Sequence, residues 1–197
     1  MNTLVACDFF VKKVITPLGM RLAYGLFFIH LGSRKAFLCP ATYHPDERWI
    51  RQQARNVQMW FEEQNIHARF LLRDHDTKFT ASFDELFRGI GTGIIKTPFQ
   101  APNANAYAEA WVGSLKRECL DYFLCFSLRH LDYIAQTYVT FHNLHRPHQG
   151  LGNRTLAASS QGNAADGHPL TTTTDIGHIC CRRFLGGLLR HYYRAAA

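Results

Sequence analysis

The first 43 residues contain three apolar segments that follow one another closely. Leu4–Phe10, Met20–His30 and Lys35–Tyr43 are rich in aliphatic and aromatic residues, and turn signals lie between them at 16–19 and 32–33. Segments of this length and spacing favour an antiparallel meander of three strands. Because apolar and polar residues hardly alternate in these segments, we expect the strands to be mostly buried.

After the meander, the spacing of apolar residues changes from that of strands to that of helices. The order of elements becomes β-β-β-α-β-α-β-α-α, which predicts an α/β fold with a mixed five-stranded sheet flanked by helices. The elements predicted after the meander are a helix at about 49–61, a strand at 68–72, a short helix at 82–89, a strand at 93–97, a helix from Asn103 or Asn105 to about Leu120, and a helix from Leu128 to about His145.

Beyond this region the composition changes twice. Residues 157–174 are mostly Ala, Ser, Gly and Thr, as is typical of a flexible linker. The last stretch regains apolar and basic residues but is too short to fold alone. We therefore predict a folded core at 1–155, a linker at 156–175 and a short basic tail at 176–197.

Composition narrows the class of protein. The 197 residues carry 22 Lys and Arg against 15 Asp and Glu, a formal charge of +7 that favours a polyanionic partner. The longest apolar run, Leu22–Leu31, falls short of the roughly 18 residues that a membrane span requires. None of the six cysteines forms a Cys-x-x-Cys pair, which argues against a zinc site and for reduced thiols. We expect a cytoplasmic protein with no membrane partner.

Three acidic residues stand out by their surroundings. Asp8 lies inside the first apolar strand, Asp74 follows the apolar segment Phe70–Leu72, and Glu109 lies on a predicted helix. An ionised carboxylate in a buried strand is costly unless it has a partner. Two strand-borne acids and one helix-borne acid can converge on one point, and carboxylate oxygens are ligands of divalent cations.

Each of these acids also has an ordinary structural interpretation. Glu109 and Lys116 can form the solvated side of an amphipathic helix whose opposite face packs on the sheet. Asp8 can cap a turn at the end of a strand, and Asp74 can cap the turn at 74–77 through its side-chain oxygens. Taken singly, the three signals are weak.

The order and spacing of the acids resemble the catalytic core of retroviral-type integrases and the related insertion-sequence transposases. Asp74 and Glu109 are 35 positions apart, close to the spacing between the second and third acids of that family, and the similarity covers about residues 1–155. The matching residues are Cys7-Asp8-Phe9-Phe10, Arg73-Asp74-His75-Asp76-Thr77-Lys78-Phe79-Thr80, Pro102–Glu109, Lys116-Arg117-Glu118 and the motif Asn143-x-x-Arg146-Pro147-His148.

The resemblance implies a ribonuclease H-like fold in which Asp8, Asp74 and Glu109 are both the catalytic residues and the metal ligands. It implies two Mg²⁺ ions, with Mn²⁺ able to substitute, and a multimer that works across two DNA ends. Asp76 stands where relatives often have Gly, and we favour Asp74 as the second ligand because it directly follows the strand. The residues assigned to DNA contact are Asn105, Lys78, Lys116, Arg146 and His148.

The predicted function is that of a transposase or integrase catalytic domain that cleaves DNA and transfers strands. Because no helix-turn-helix segment precedes Asp8, we expect a separate subunit or a further N-terminal domain to recognise the DNA ends. Two alternatives stay open. One is a ribonuclease H-like nuclease that only hydrolyses DNA, and the other is a catalytically inactive, DNA-binding remnant of a mobile element.

Overall fold

A five-stranded mixed sheet forms the centre of the fold, with strand order β3-β2-β1-β4-β5. The computed structural model describes residues 2–97, 105–157 and 179–194. The first three strands are antiparallel, whereas β4 and β5 run parallel to β1. The strands are β1 (Leu4–Thr16), β2 (Gly19–His30), β3 (Ala36–Leu38), β4 (Phe70–Arg73) and β5 (Gly93–Lys96).

Four helices flank the sheet: α1 (Glu47–Glu63), α2 (Ala81–Gly89), α3 (Ala106–Glu118) and α4 (Leu128–Leu144). Three of them begin at a side-chain cap of the usual kind, in which an oxygen accepts a backbone N–H of the first turn. The caps are Asp46 for α1, Thr80 for α2 and Ser127 for α4. The predicted order of strands and helices is confirmed throughout this region.

The helices cover both faces of the sheet, which explains the weak alternation in the strands. Val5 and Cys7 of β1 are buried against α1 and α2, while Ala6 and Phe10 are buried on the side of α3 and α4. On this second side Gly25 is needed, because a Cβ there would come within 2.3 Å of the Phe10 ring. The alternation of β1 therefore decides which side chains face α3.

The C-terminal stretch contains an element that the sequence did not predict. Strands β6 (Ile179–Phe184) and β7 (Leu189–Arg194) form an antiparallel hairpin. Leu189 joins the core cluster on the α3 and α4 side, so the hairpin uses apolar surface that the main fold supplies. The predicted linker falls largely on residues 158–178, outside the described residues. Among the helices of the described ranges, none has the length and apolar content to cross a membrane.

Candidate active site

Asp8 lies on β1, and Asp74 directly follows the end of β4, the parallel strand beside β1. Residues paired between β1 and β4 are 66 positions apart, from Leu4↔Phe70 to Ala6↔Leu72. Asp8 and Asp74 are also 66 positions apart, two residues beyond the last pair. Since adjacent strands lie about 4.8 Å apart, this register brings Asp74 near Asp8 at the point where the pairing of β1 with β4 ends.

Both acids belong to the face of the sheet that α3 covers. Asp8 alternates with Ala6 and Phe10, which are buried on that side. Leu72, two residues before Asp74, also packs against the same cluster. Helix α3 lies on this face through buried Trp111 and carries Glu109 in its first turn.

The pKa of Asp8 shows that the acids share one electrostatic neighbourhood. Burial raises the pKa of this carboxyl to about 6, although the N–H of Phe9 donates to it at 2.7 Å and acts in the opposite direction. The negative charges of Asp74, Asp76 and Glu109 raise the pKa further. Asp74 and Glu109, which lie 66 and 101 positions away along the chain, therefore both affect the pKa of Asp8.

The turn after β4 distinguishes Asp74 from Asp76. Within the described part of the chain, the Asp74 carboxylate accepts a local bond from the N–H of Asp76 at 3.0 Å. Asp76, in contrast, forms an ion pair with Nζ of Lys78 and also accepts the N–H of Lys78 at 2.9 Å. The charge of Asp76 is thus compensated within the turn, which supports Asp74 as the acid available to a ligand.

Lys78, which the sequence assigned to DNA contact, is held in place by more than this ion pair. Its Nζ lies 5.1 Å from the centre of the Phe9 ring and 5.4 Å from that of Tyr24. A cation between two aromatic rings and a carboxylate is partly desolvated. The residue therefore lies beside the acids as part of the turn.

A buried ion pair holds the main chain at Asp74. Arg73, the last residue of β4, donates from Nε and Nη2 to the carboxylate of Asp84 on α2, at 2.9 and 2.7 Å. The third contact runs from Nη1 of Arg73 to the carbonyl oxygen of Asp74 at 2.8 Å. Nothing in the sequence signals that Arg73 and Asp84 are partners, since the pairing depends on how α2 packs against β4.

Asn105, at the start of α3, connects this helix to the strand of Asp8. Its side-chain nitrogen donates to the carbonyl oxygen of Cys7 at 3.4 Å, and the residue is only 5% exposed. Its Oδ1 is buried and has no hydrogen-bond partner within the described residues. A buried oxygen without a partner costs about 1–3 kcal/mol. Asn105 was predicted to contact DNA, but it lies in the interior, next to Asp8.

The donor set fits a hard divalent cation, although the carboxylates are not gathered as a finished metal site. Asp8, Asp74 and Glu109 offer oxygen ligands of the kind that Mg²⁺ prefers, and the unpartnered Oδ1 of Asn105 adds a polar atom nearby. Within the described ranges, no three His, Cys, Asp or Glu side chains are arranged so that they could hold a metal ion. The structure therefore places the acids near enough for their charges to act on the Asp8 carboxyl.

The Asn143-x-x-Arg146-Pro147-His148 motif makes contacts inside the protein. The side chain of Asn143 accepts the N–H and donates to the carbonyl of Ala36, at 2.9 and 2.8 Å, and so pairs with the exposed edge of β3. Arg146 donates from Nε and Nη2 to the Glu118 carboxylate at 2.9 and 2.6 Å. His148 is 6% exposed, and its Nε2 lies 3.2 Å from the carbonyl oxygen of His142.

These contacts give Arg146 and His148 a place in holding the fold together. Arg146 has two of its donors committed to Glu118, and His148 is buried. The DNA contact predicted for both residues stays a prediction. Lys116 differs, because it is exposed on the outer side of α3, two helical turns after Glu109.

Part of the chain matches a known protein family. Residues 91–155 match the family model of the integrase core domain. No curated protein matches the chain. The matched segment contains Glu109, Lys116 and the Asn143 motif.

Solved structures of similar fold include two from viral integrases. One is a cryo-EM structure of a simian T-cell lymphotropic virus intasome in complex with the PP2A regulatory subunit B56 gamma, at 10% identity and a TM-score of 0.62, over 98% of this chain and 67% of that chain. The other is the HTLV-2 integrase catalytic core domain in complex with magnesium, in a trimeric form, at 10% identity and a TM-score of 0.57, over 80% of this chain and 95% of that chain.

The fold is therefore that of the ribonuclease H-like integrase cores, as the sequence predicted. The family match and the shared fold together support an integrase or transposase catalytic core.

Proposed function

We propose that this chain cleaves DNA strands and joins them to new sites in a reaction that depends on divalent metal ions. The observation that carries the proposal is the position of Asp74 just after β4, the strand beside that of Asp8, with the charges of Asp74 and Glu109 both acting on the Asp8 carboxyl. We infer that these three residues hold Mg²⁺, or Mn²⁺ in its place, as a pair of ions. The magnesium named with the HTLV-2 integrase core supports this choice of metal.

When bound, such a pair of ions stabilises the oxygens that enter and leave the phosphorus atom in an in-line displacement. The residues of the chain contribute position and charge. The three carboxylates hold the site where the pairing of β1 with β4 ends, and Arg73 fixes the main chain at Asp74 through a 2.8 Å hydrogen bond. Lys116 projects from the face of α3 that carries Glu109 and offers a positive charge to a DNA phosphate. No side chain needs to act as a nucleophile in this scheme.

We propose that the active form is a homo-oligomer on DNA. The intasome and the trimeric form among the solved neighbours support that proposal. A separate subunit or a further domain would then recognise the DNA ends.

The proposal can be tested with supercoiled plasmid in Mg²⁺ or Mn²⁺, with and without a duplex that carries a free 3′-hydroxyl end. The wild-type chain is expected to yield joined products. Asp8→Asn, Asp74→Asn and Glu109→Gln should each abolish product formation while the circular dichroism spectrum stays unchanged. Asp121→Asn, an exposed acid in the turn after α3, is the matched control and should retain activity.

The same experiment separates the alternative functions. Nicked circles without joined products would favour a nuclease that only hydrolyses. DNA binding without cleavage, equal in the wild type and in Asp74→Asn, would favour an inactive remnant. Asp76→Asn distinguishes the two neighbouring acids, because it should keep activity if Asp74 is the ligand.

A further inference from the structure

The β6–β7 hairpin is anchored by its turn end and projects from the body of the protein. Leu189, next to the turn, is 5% exposed. The ring of Phe184 lies 5.9 Å from Phe141 and 5.2 Å from His145, both at the C-terminal end of α4. Further along β7, Tyr192 is 60% exposed. The hairpin is thus attached at one end and open to solvent at the other.

The two faces of the hairpin differ in character. Residues paired across two strands share a face, and neighbouring pairs alternate between faces. The pair Phe184↔Leu189 packs on the protein, so the next pair, Arg183↔Arg190, lies on the outer face. The pair Cys181↔Tyr192 lies on the same outer face, and all four of these outer residues are exposed.

The outer face carries positive charge without compensation. Residues 179–194 contain four arginines and no acidic residue. Within the described ranges, Arg182, Arg183 and Arg190 form no ion pair with a carboxylate. Like charges placed directly opposite each other destabilise a pair of strands, and Arg183 and Arg190 are such a pair. An anion that bridges both guanidinium groups would remove this repulsion.

We propose that the outer face of the hairpin binds the phosphate backbone of duplex DNA, at a surface separate from the carboxylate site. This inference rests on the proposed function, which makes DNA the substrate. The backbone of one DNA strand presents a charge about every 3.4 Å along the helix axis, and Arg183 and Arg190 offer two charges directly opposite each other on neighbouring strands. Backbone contacts of this kind position DNA without reading its sequence. The hairpin would therefore hold a stretch of DNA whatever its sequence.

The test measures binding alone, so that it does not depend on catalysis. The full chain is titrated with a 30-base-pair duplex in EDTA at several salt concentrations. Arg183→Gln/Arg190→Gln should weaken binding by roughly tenfold or more near 0.1 M salt. It should also reduce the slope of log K against log salt by about 1.8, since each phosphate contact contributes about 0.9.

Three further variants make the result specific. Arg51→Gln/Arg55→Gln removes two exposed charges from α1 and is the matched control, which should leave the slope near the wild-type value. Arg183→Lys/Arg190→Lys keeps the charge and should keep the slope. Cys181→Arg adds a charge to the same face and should steepen the slope by about 0.9. If the glutamine variant folds poorly, the steeper salt slope of Cys181→Arg tests the proposal in its place.

Two outcomes would overturn the proposal. One is an equal loss of affinity in the α1 control, which would mean that only net charge matters. The other is an unchanged salt slope with a loss of self-association in sedimentation, which would make the outer face an interface between copies. Failure of the proposed function would give a different result. The wild type and Asp74→Asn would then show the same DNA cleavage, while the hairpin variants would still alter the salt slope.

Discussion

The guanidinium of Arg73 and the carboxylate of Asp84 form a two-point ion pair in the interior, with side chains only 4% and 5% exposed. The same guanidinium reaches the main chain of Asp74. Strand β4, helix α2 and the turn that carries the second candidate ligand are therefore tied together at one group. A buried pair of this kind costs desolvation to form, but removal of one partner leaves a buried charge without compensation.

We predict that Asp84→Asn lowers the free energy of unfolding by about 3–5 kcal/mol, because Arg73 is left buried and unpaired. Denaturation in urea, followed by circular dichroism, measures the loss. Glu85→Gln, at the next and exposed position of α2, should change stability by less than about 0.5 kcal/mol. A similar small effect in both variants would show that Arg73 finds another partner.

A second prediction concerns Arg146, for which sequence and structure suggest different roles. Arg146→Met should destabilise the fold by about 1–2 kcal/mol, because hydrogen bonds to charged groups are lost and the half-buried Glu118 carboxylate is left with Tyr138 alone. The salt slope of DNA binding should stay at the wild-type value. If the salt slope fell by about 0.9 and the stability did not change, the result would instead support the DNA contact expected from the sequence.

The third prediction is a loss of stability in mild acid through His142. Burial lowers the pKa of this imidazole to about 4, although its contact with the carbonyl of Arg34 partly opposes that shift. In the unfolded chain the group titrates near 6.5, so the unfolded state binds the proton first as the pH falls. The stability that comes from keeping His142 neutral is therefore present above about pH 6.5. It is lost as the pH falls towards 4, by up to about 1.4 kcal/mol per pH unit.

Urea unfolding at pH 7, 6 and 5 tests this directly. His142→Gln removes the titrating group, so its stability should depend on pH less steeply than that of the wild type. The difference between the two proteins isolates His142 from His145 and His148, whose pKa values burial also lowers. Parallel pH profiles for the two proteins would contradict the assignment.

The fourth prediction concerns the carboxylates without metal. Burial holds the pKa of Asp8 near 6, and the charges of Asp74 and Glu109 raise it. Asp74→Asn and Glu109→Gln should therefore each lower the pKa of Asp8 while leaving it above the usual value for an aspartate. The side-chain carboxyl resonance of Asp8, followed by NMR in metal-free buffer, reports the change. Asp121→Asn should have no effect on this pKa. If none of the three substitutions changes the pKa of Asp8, the acids do not share a site.

Much of the sheet and of the site's position could be predicted because local pattern determines them. Apolar spacing predicts α1 and α3 as helices, and Trp111 and Leu115 are buried as the periodicity of α3 requires. The closeness of Asp8 and Asp74 follows because Asp8 lies on one apolar strand and Asp74 directly follows another. Register alone then fixes which residues are neighbours.

What the sequence could not supply depends on contacts between distant elements. The partner of Arg73 is decided by the packing of α2, and the partner of Arg146 lies on a different helix, 28 positions away. The hairpin was missed because neither strand has a core of its own. Its apolar residues gain a surface only where Leu189 and Phe184 meet the end of α4.

Asp8 lies in the middle of a long paired segment, with the ladder between β1 and β2 continuing on both sides of its contact with Phe27. Pairing on both sides therefore holds the backbone of Asp8 in place. The main chain at Asp74 is held by the hydrogen bond from Arg73, whereas Glu109, exposed in the first turn of a helix, has no such strand on either side. Any adjustment of the three acids to the size of a bound cation should accordingly come first from Glu109, with Asp8 as the least mobile of the three.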